Sequence, residues 1–297
     1  MNVLTVARFT FREAQRRRLL WLGIGLGLAF LALFSLGFYL VYDQIHDSAL
    51  KEIAGGELRE AALSLAANFF LMMGLFVVNF MVVLVAILTT VGAMSSEINS
   101  HTIQTIVTKP LRRWELVLGK WLGHALMVTF YILLLTGGII LSVYVISGHA
   151  PRQVLGGLGL YVLEGIVLMT VSIMFGTRLS TLANGVVLFM VYGLAFVGGW
   201  VEQIATQINL IPGVDAQAAV NLGAWAGRLL PSEVLWRRAS HIMTPRIAAG
   251  LFDEGEAPPM FLFTFGRAPE PSIILYALAY IAVMLLLAMW SFRRRDL

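Results

Sequence analysis

The sequence contains no cysteine, which excludes disulfide frameworks, cysteine-bound iron–sulfur clusters and a thiol nucleophile. It lacks the G-x-x-x-x-G-K-[ST] phosphate loop, because Gly119-Lys120 is followed by Trp121 and no glycine stands at the required position upstream. It also lacks the H-E-x-x-H zinc pair and the G-x-S-x-G nucleophile turn. We therefore predict no catalytic residue, no metal site and no cofactor in this chain.

Charged residues are also scarce in this sequence. Asp, Glu, Lys and Arg make up 13% of the 297 residues, whereas soluble domains carry about 25%. Hydrophobic residues make up 59% and the mean hydropathy is +0.82. A helix of about 20 apolar residues crosses a bilayer. The long uncharged runs predict six transmembrane helices, at about 19–42, 68–94, 121–146, 154–177, 179–201 and 273–292.

The predicted fold is an all-α polytopic membrane protein with one transmembrane domain, residues 1–297. Residues 1–18 predict an amphipathic surface helix, with Val3, Leu4 and Phe11 opposite the arginines; the alternative is an extension of the first span. Residues 95–120 form a polar loop between spans two and three. Residues 202–271 form an outer loop, with short interfacial helices before the sixth span.

Basic residues predict the orientation. With the N-terminus inside, 13 of the 21 lysines and arginines lie in inner segments. Close to the outer ends of the spans are only Lys51, Arg59, Arg152 and Arg267. We therefore expect both termini to be cytoplasmic. The net charge of +4 reflects this topology and contact with lipid headgroups, so we expect no nucleic-acid partner.

Glu164 is the one ionisable residue deep inside a predicted span. A carboxylate at the bilayer centre costs about 3 kcal/mol unless it is paired, protonated or facing water. Glu164 is therefore a candidate for the translocation pathway or a subunit seam, and the alternative is a hydrogen-bonded packing residue. Asn79 and His124 are its candidate partners.

The polar loop 95–120 reads as a helix lying beneath the membrane. Ile103, Ile106 and Val107 have helical spacing, and Pro110 ends the helix because it restricts Lys109. The apolar stripe exceeds the needs of a solvated turn. On the residues alone, a position on the lipid surface and a contact with another protein are equally compatible with it.

The loop's motifs resemble those of the ABC-type-2 permeases, the membrane subunits of ATP-binding-cassette exporters. The similar elements are Glu97, Thr102-Ile103, Lys109-Pro110, Arg113 and Leu118-Gly119-Lys120. The C-terminal segment 292–297 and the segment 229–239, which contains Pro231, are also similar. His101 departs from the family pattern, in which a glycine or a basic residue precedes the Thr-Ile step.

The resemblance implies a permease that forms the translocation pathway as a dimer with a second copy or a related chain. A separate cytoplasmic ATPase, which binds ATP and Mg, would drive it through a coupling helix in the loop. The resemblance also implies the plasma (inner) membrane of a bacterium or archaeon, with the lipid bilayer as surroundings. The implied ATPase-coupling residues are Glu97, Thr102, Ile103, Ile106, Val107, Lys109, Pro110, Arg113, Gly119 and Lys120.

Two other functions fit the same pattern. One is a membrane scaffold or assembly factor of this architecture, which works with an ATPase but transports no substrate. The other is an intramembrane enzyme centred on Glu164 and His124. A co-purifying ATPase would distinguish the permease and the scaffold from the enzyme. Substrate-stimulated ATP hydrolysis in liposomes would then distinguish the permease from the scaffold.

Overall fold

The computed structural model describes residues 3–16, 18–52, 56–95, 113–209, 211, 213–244 and 269–294. Within them the chain forms nine α-helices and no strand. The helices are α1 Val3–Arg16, α2 Arg18–Glu52, α3 Gly56–Thr90, α4 Arg113–Ser147, α5 Val154–Gly176, α6 Thr181–Ile208, α7 Gln217–Leu229, α8 Ser232–Met243 and α9 Ser272–Arg293.

Six of these described helices are long and apolar enough to cross a membrane, namely α2, α3, α4, α5, α6 and α9. The predicted all-α fold with six spans is therefore confirmed. The separation of spans four and five near Arg178 is also present. Ser180 begins α6, and its side chain accepts a hydrogen bond from the backbone N–H of Ala183 at 3.4 Å.

The first two spanning helices are longer than the apolar runs. Helix α2 continues to Glu52 and α3 begins at Gly56, so most of the acidic segment between the first two runs is helical. Both helices have 35 residues, or about 52 Å at 1.5 Å per residue. That length exceeds the thickness of the hydrocarbon core, so we expect the helices to extend beyond it at this end.

Helix α5 lies at the centre of the bundle and contacts α3, α4, α6, α8 and α9. A small residue permits its close approach to α4: a Cβ at Gly165 would lie 2.5 Å from Cδ1 of Ile132. Small residues allow this packing in membrane helices, where dispersion contacts replace the hydrophobic effect. The central helix can therefore carry a fully buried side chain such as Glu164.

Helix α1 packs against the beginning of α4. Its buried residues are Val6, Thr10 and Ala14, which are four residues apart and so share one helix face. Leu4, predicted on the apolar side of this helix, is 75% exposed, so the other described residues do not cover it. A glycine on α4 permits the contact, because a Cβ at Gly119 would lie 2.5 Å from the Cβ of Val6.

Helices α7 and α8 follow α6 but differ in burial. Helix α7 packs against α6, and Trp225 remains 67% exposed; its predicted position at the membrane interface stays a prediction. Helix α8 instead packs against α5 and buries Leu235 and Trp236. The Trp236 ring lies 6.0 Å from that of Phe76 and 5.8 Å from that of Tyr161. Helix α8 thus belongs to the core of the bundle.

Candidate functional site

Glu164 on α5 and Asn79 on α3 are in direct contact at the centre of the bundle. Both residues are 0% exposed. In the amide orientation that satisfies both groups, Asn79 Nδ2 donates to Glu164 Oε1 at 2.9 Å and to Oε2 at 3.0 Å. The structure therefore brings together two residues that the sequence singled out. Their assignment to the pathway or a subunit seam stays a prediction.

Two tyrosines complete the surroundings of this pair. The Tyr161 hydroxyl on α5 donates to the carbonyl of Leu75 on α3 at 3.3 Å. The Tyr192 hydroxyl on α6 lies beside the Asn79 amide. Three spanning helices thus place polar groups around one buried carboxyl group, within an otherwise apolar core.

A second buried carboxyl group, that of Glu233 on α8, interacts electrostatically with Glu164. Glu233 is 2% exposed and packs against Gly199 of α6, where an added Cβ would lie 2.6 Å from Glu233 Cγ. Its Oε2 atom has no hydrogen-bond partner among the described residues. Burial raises the pKa of Glu233 to about 7, with Glu202 also raising it and Arg237 lowering it.

An ion pair lies beside Glu233. Arg237 Nη2 on α8 donates to Glu202 Oε2 on α6 at 2.8 Å, and the side chains are 12% and 27% exposed respectively. Sequence reasoning missed this arrangement. The pattern Pro231-Ser232-Glu233 is typical of a helix start, and only the tertiary packing reveals the burial of Glu233.

Lys120 joins the two helices that flank the 95–120 loop. The Lys120 side chain on α4 is buried, and its Nζ donates to the carbonyl of Ala93, just beyond the end of α3, at 2.5 Å. A cation near a helix C-terminus also interacts favourably with the helix dipole. Lys120, one of the predicted ATPase-coupling residues, therefore makes a contact within the chain that joins the two ends of the loop.

Arg113, another predicted coupling residue, begins α4 and interacts with the last turn of α9. Its Nη1 donates to the carbonyl of Arg293 at 3.1 Å and to that of Phe292 at 3.5 Å. Because the last carbonyls of a helix have no partner inside the helix, a guanidinium is a suitable cap. Arg113 thus ties the beginning of α4 to the end of the last span.

Two polar contacts join the end of α3 to the beginning of α6. Ser95 and Thr181 share a hydrogen bond of 2.8 Å between their hydroxyl groups. Asn184 Nδ2 donates to the carbonyls of Val91 at 3.0 Å and Ser172 at 2.9 Å. Sequence reasoning did not identify these residues, since serine, threonine and asparagine at span ends are common and their partners are distant in the sequence.

The remaining predicted coupling residues lie outside the described residues, and so does the predicted coupling helix itself. These residues are Glu97, Thr102, Ile103, Ile106, Val107, Lys109 and Pro110. His124 is described and buried, and its Nδ1 lies 2.9 Å from the carbonyl of Lys120 one turn earlier on α4. No three His, Asp or Glu residues cluster as a metal site in the part of the chain that the structure describes.

The comparisons with known proteins agree with this architecture. The model of a family described as ABC-2 family transporter protein matches residues 4–297. The chain is also similar to a probable ABC transporter permease protein, NosY, of Stutzerimonas stutzeri. The two are 27% identical over 234 residues, which cover 73% of this chain and 77% of the relative. Because the match to the family model extends over nearly the whole chain, with six helices able to span a membrane, this protein belongs to the ABC-2 transporter family as a permease.

Proposed function

We propose that this chain is the permease subunit of an ABC exporter, which forms the translocation pathway as a dimer. A separate cytoplasmic ATPase, which binds ATP and Mg, drives it through the 95–120 coupling loop. The observation that carries the proposal is the attachment of both loop ends to the spanning helices, through Lys120 to Ala93 at 2.5 Å and through Ser95 to Thr181 at 2.8 Å.

The contacts define a mechanical route from the loop into the bundle. Movement of the 96–112 segment acts first on the turn that ends α3, whose carbonyls at Val91 and Ala93 accept bonds from Asn184 and Lys120. Asn184 belongs to α6 and Lys120 to α4. A displacement of this turn is therefore transmitted to three spanning helices together, because packed helices move as rigid units.

Charge supports the orientation of the permease. The end of the bundle that carries the loop also carries α1 and the last turn of α9, through the contacts of Gly119 with Val6 and of Arg113 with Arg293. This end is rich in arginine and lysine, and such segments remain cytoplasmic. Both termini then lie in the cytoplasm, and the membrane is the plasma (inner) membrane.

Glu164 and Asn79 are the proposed polar element of the translocation pathway or the subunit seam. They are buried between α3 and α5 of one chain, so the bundle must open before either group meets a cargo or a second copy. A conformational change driven by the ATPase provides such an opening. Energetically, the pair is better placed inside the bundle than against lipid, since its polar atoms satisfy each other.

A charge at Ile106 tests the coupling. An Ile106→Glu variant should still insert in the membrane, but ATP hydrolysis by the permease and ATPase together should fall toward the rate of the isolated ATPase. A carboxylate at this position opposes burial in an apolar groove of the ATPase. The matched control is Ile211→Glu, at a position 54% exposed after α6. It adds the same charge at the other end of the bundle and should leave hydrolysis unchanged.

The two variants separate a specific effect from a general one. Loss of hydrolysis in Ile106→Glu alone supports coupling through the loop. Equal loss in both variants, or normal hydrolysis in Ile106→Glu, contradicts it. Substrate-stimulated hydrolysis in liposomes then distinguishes the permease from a scaffold that works with an ATPase but transports nothing.

A further inference from the structure

The carboxyl groups of α6, α8 and α5 form a series of increasing burial. Glu202 is 27% exposed in its side chain, and its partner Arg237 is 12% exposed. Glu233 is 2% exposed, and Glu164 is 0% exposed. The series therefore runs from a partly exposed position near the end of α6 to the centre of the bundle.

The charges in this series do not balance. Three carboxyl groups face one guanidinium, that of Arg237, which is hydrogen-bonded to Glu202. If every group were ionised, Glu233 and Glu164 would both be buried anions that repel each other. An unpaired buried charge costs several kcal/mol, and a group in this position takes up a proton instead.

Neighbouring elements supply neutral groups to the two carboxyl groups. Asn79 on α3 donates to both oxygens of Glu164. Tyr161 on α5 and Tyr192 on α6 interact electrostatically with both carboxyl groups. On α8 and α6, the charged groups that act on Glu233 are Arg237 and Glu202. The one positive charge in this set is thus already paired.

We propose that Glu233 and Glu164 form a proton-binding pair that is loaded from the outer aqueous phase past the Glu202–Arg237 ion pair. A proton from water bonds to a carboxylate oxygen of Glu233, whose Oε2 atom is buried without a hydrogen-bond partner among the described residues. Glu164 holds the second proton, because a protonated carboxyl group keeps acceptor capacity for the Asn79 amide. Each step transfers one proton between oxygen atoms and needs no other reactant.

Protons fit this site better than a metal ion. The amide Nδ2 of Asn79 points its hydrogens toward both oxygens of Glu164 at 2.9 and 3.0 Å. A donor in that position would repel a cation bound there. The described residues also contain no group of three His, Asp or Glu that could hold a metal. Loading from the outer side rests on the orientation of the proposed function, whereas proton binding by Glu233 and Glu164 does not depend on it.

Dicyclohexylcarbodiimide tests the pair directly, because it is lipid-soluble and reacts with protonated carboxyl groups. The acidic proton moves to a nitrogen of the reagent while the carboxyl oxygen bonds to its central carbon. We expect mass spectrometry of the purified full-length chain to find modified Glu233 at pH 5.5. At pH 9 the modification should fall about tenfold or more, since a group that titrates near pH 7 is then almost fully ionised.

Glu202 is the internal control. It is more accessible than Glu233 but is paired with Arg237, so we expect it to remain unmodified at both pH values. Glu233→Gln should remove only its own modification, and Glu164→Gln should leave that of Glu233. Labelling of Glu202 as strong as that of Glu233, or labelling of Glu233 that does not change with pH, would overturn the proposal.

Sealed vesicles test the direction of loading. In right-side-out vesicles, the labelling of Glu233 should follow the pH of the external buffer, and in inverted vesicles it should follow the internal pH. The reverse result would overturn loading from the outer side. The labelling needs no ATPase, so absence of an ATPase partner would refute the proposed function while leaving this result unaffected.

Discussion

The amide of Asn79 on α3 binds both oxygens of Glu164 on α5, at 2.9 and 3.0 Å, with both residues 0% exposed. This contact joins two spanning helices beside the hydroxyl groups of Tyr161 and Tyr192, and the buried carboxyl group of Glu233 acts on it electrostatically. Glu164 is the one ionisable residue that the sequence places deep in a span, and it lies at the centre of a single chain.

Removal of one member of this pair should destabilise the protein. In Asn79→Leu the carboxyl group of Glu164 loses both amide hydrogen bonds, at a cost of about 1–3 kcal/mol. The melting temperature in detergent should therefore fall. The double variant Asn79→Leu with Glu164→Leu should recover most of this loss, because an apolar pair can replace a buried polar one. A double variant less stable than the single one would refute this view of the contact.

The contact between α1 and α4 depends on the absence of a side chain at Gly119. A Cβ there would lie 2.5 Å from the Cβ of Val6 and 2.9 Å from the carbonyl oxygen of Val3. We expect Gly119→Ala to displace α1, at a cost of about 1–3 kcal/mol, and to speed trypsin cleavage after Arg8.

The control for this variant is Gly137→Ala on the same helix, where nothing lies within 4 Å of the added Cβ. It should leave the cleavage rate unchanged. Equal cleavage rates in the two variants would show that α1 does not need the close approach at Gly119.

Lys120 should affect coupling through position rather than through contact with an ATPase. Lys120→Met keeps much of the side chain's volume but removes the bond from Nζ to the carbonyl of Ala93. We expect weaker binding of the ATPase, by about tenfold, because the turn that begins the coupling loop loses one of its attachments. Lys120→Arg retains a donor and should recover part of the affinity, as measured by titration of detergent-purified chains.

The burial of Glu233 predicts that the stability of the protein depends on pH. Its pKa is raised to about 7 by burial, so the folded chain holds this proton at pH values at which the unfolded chain has lost it. The resulting stability is fully present below the ordinary value near 4.5 and is lost as pH rises through about 7. The free energy of unfolding is therefore lower above pH 7 than below pH 4.5 by about 3 kcal/mol.

Melting temperatures between pH 4.5 and pH 8 measure this effect. Wild-type protein should lose stability over the interval, whereas Glu233→Gln, which cannot ionise, should lose less. Identical pH profiles for the two proteins would show that Glu233 does not retain its proton on folding.

The spans and the family could be predicted from the sequence because both depend on local patterns. Long uncharged runs determine where helices cross the membrane, and the motifs around Pro110 and Gly119-Lys120 resemble those of the family.

The polar contacts could not be predicted in this way. Burial of Glu233 arises because α8 folds back against α5 and α6, and Asn184 reaches Val91 from a distant part of the chain. Leu4 and Trp236 both lie on apolar helix faces in the sequence, but Leu4 is exposed and Trp236 is buried. A helical apolar face in the sequence does not specify whether lipid, water or another helix covers it.

The central claim is that a separate ATPase drives this permease through the 95–120 loop. Purification of the tagged chain from its native membrane in mild detergent, followed by native mass spectrometry, tests it most directly. The account predicts a complex of two permease chains with two ABC ATPase chains, which Ile106→Glu disrupts and Ile211→Glu does not. A chain that purifies without an ABC ATPase, or a complex that Ile106→Glu leaves intact, would contradict it.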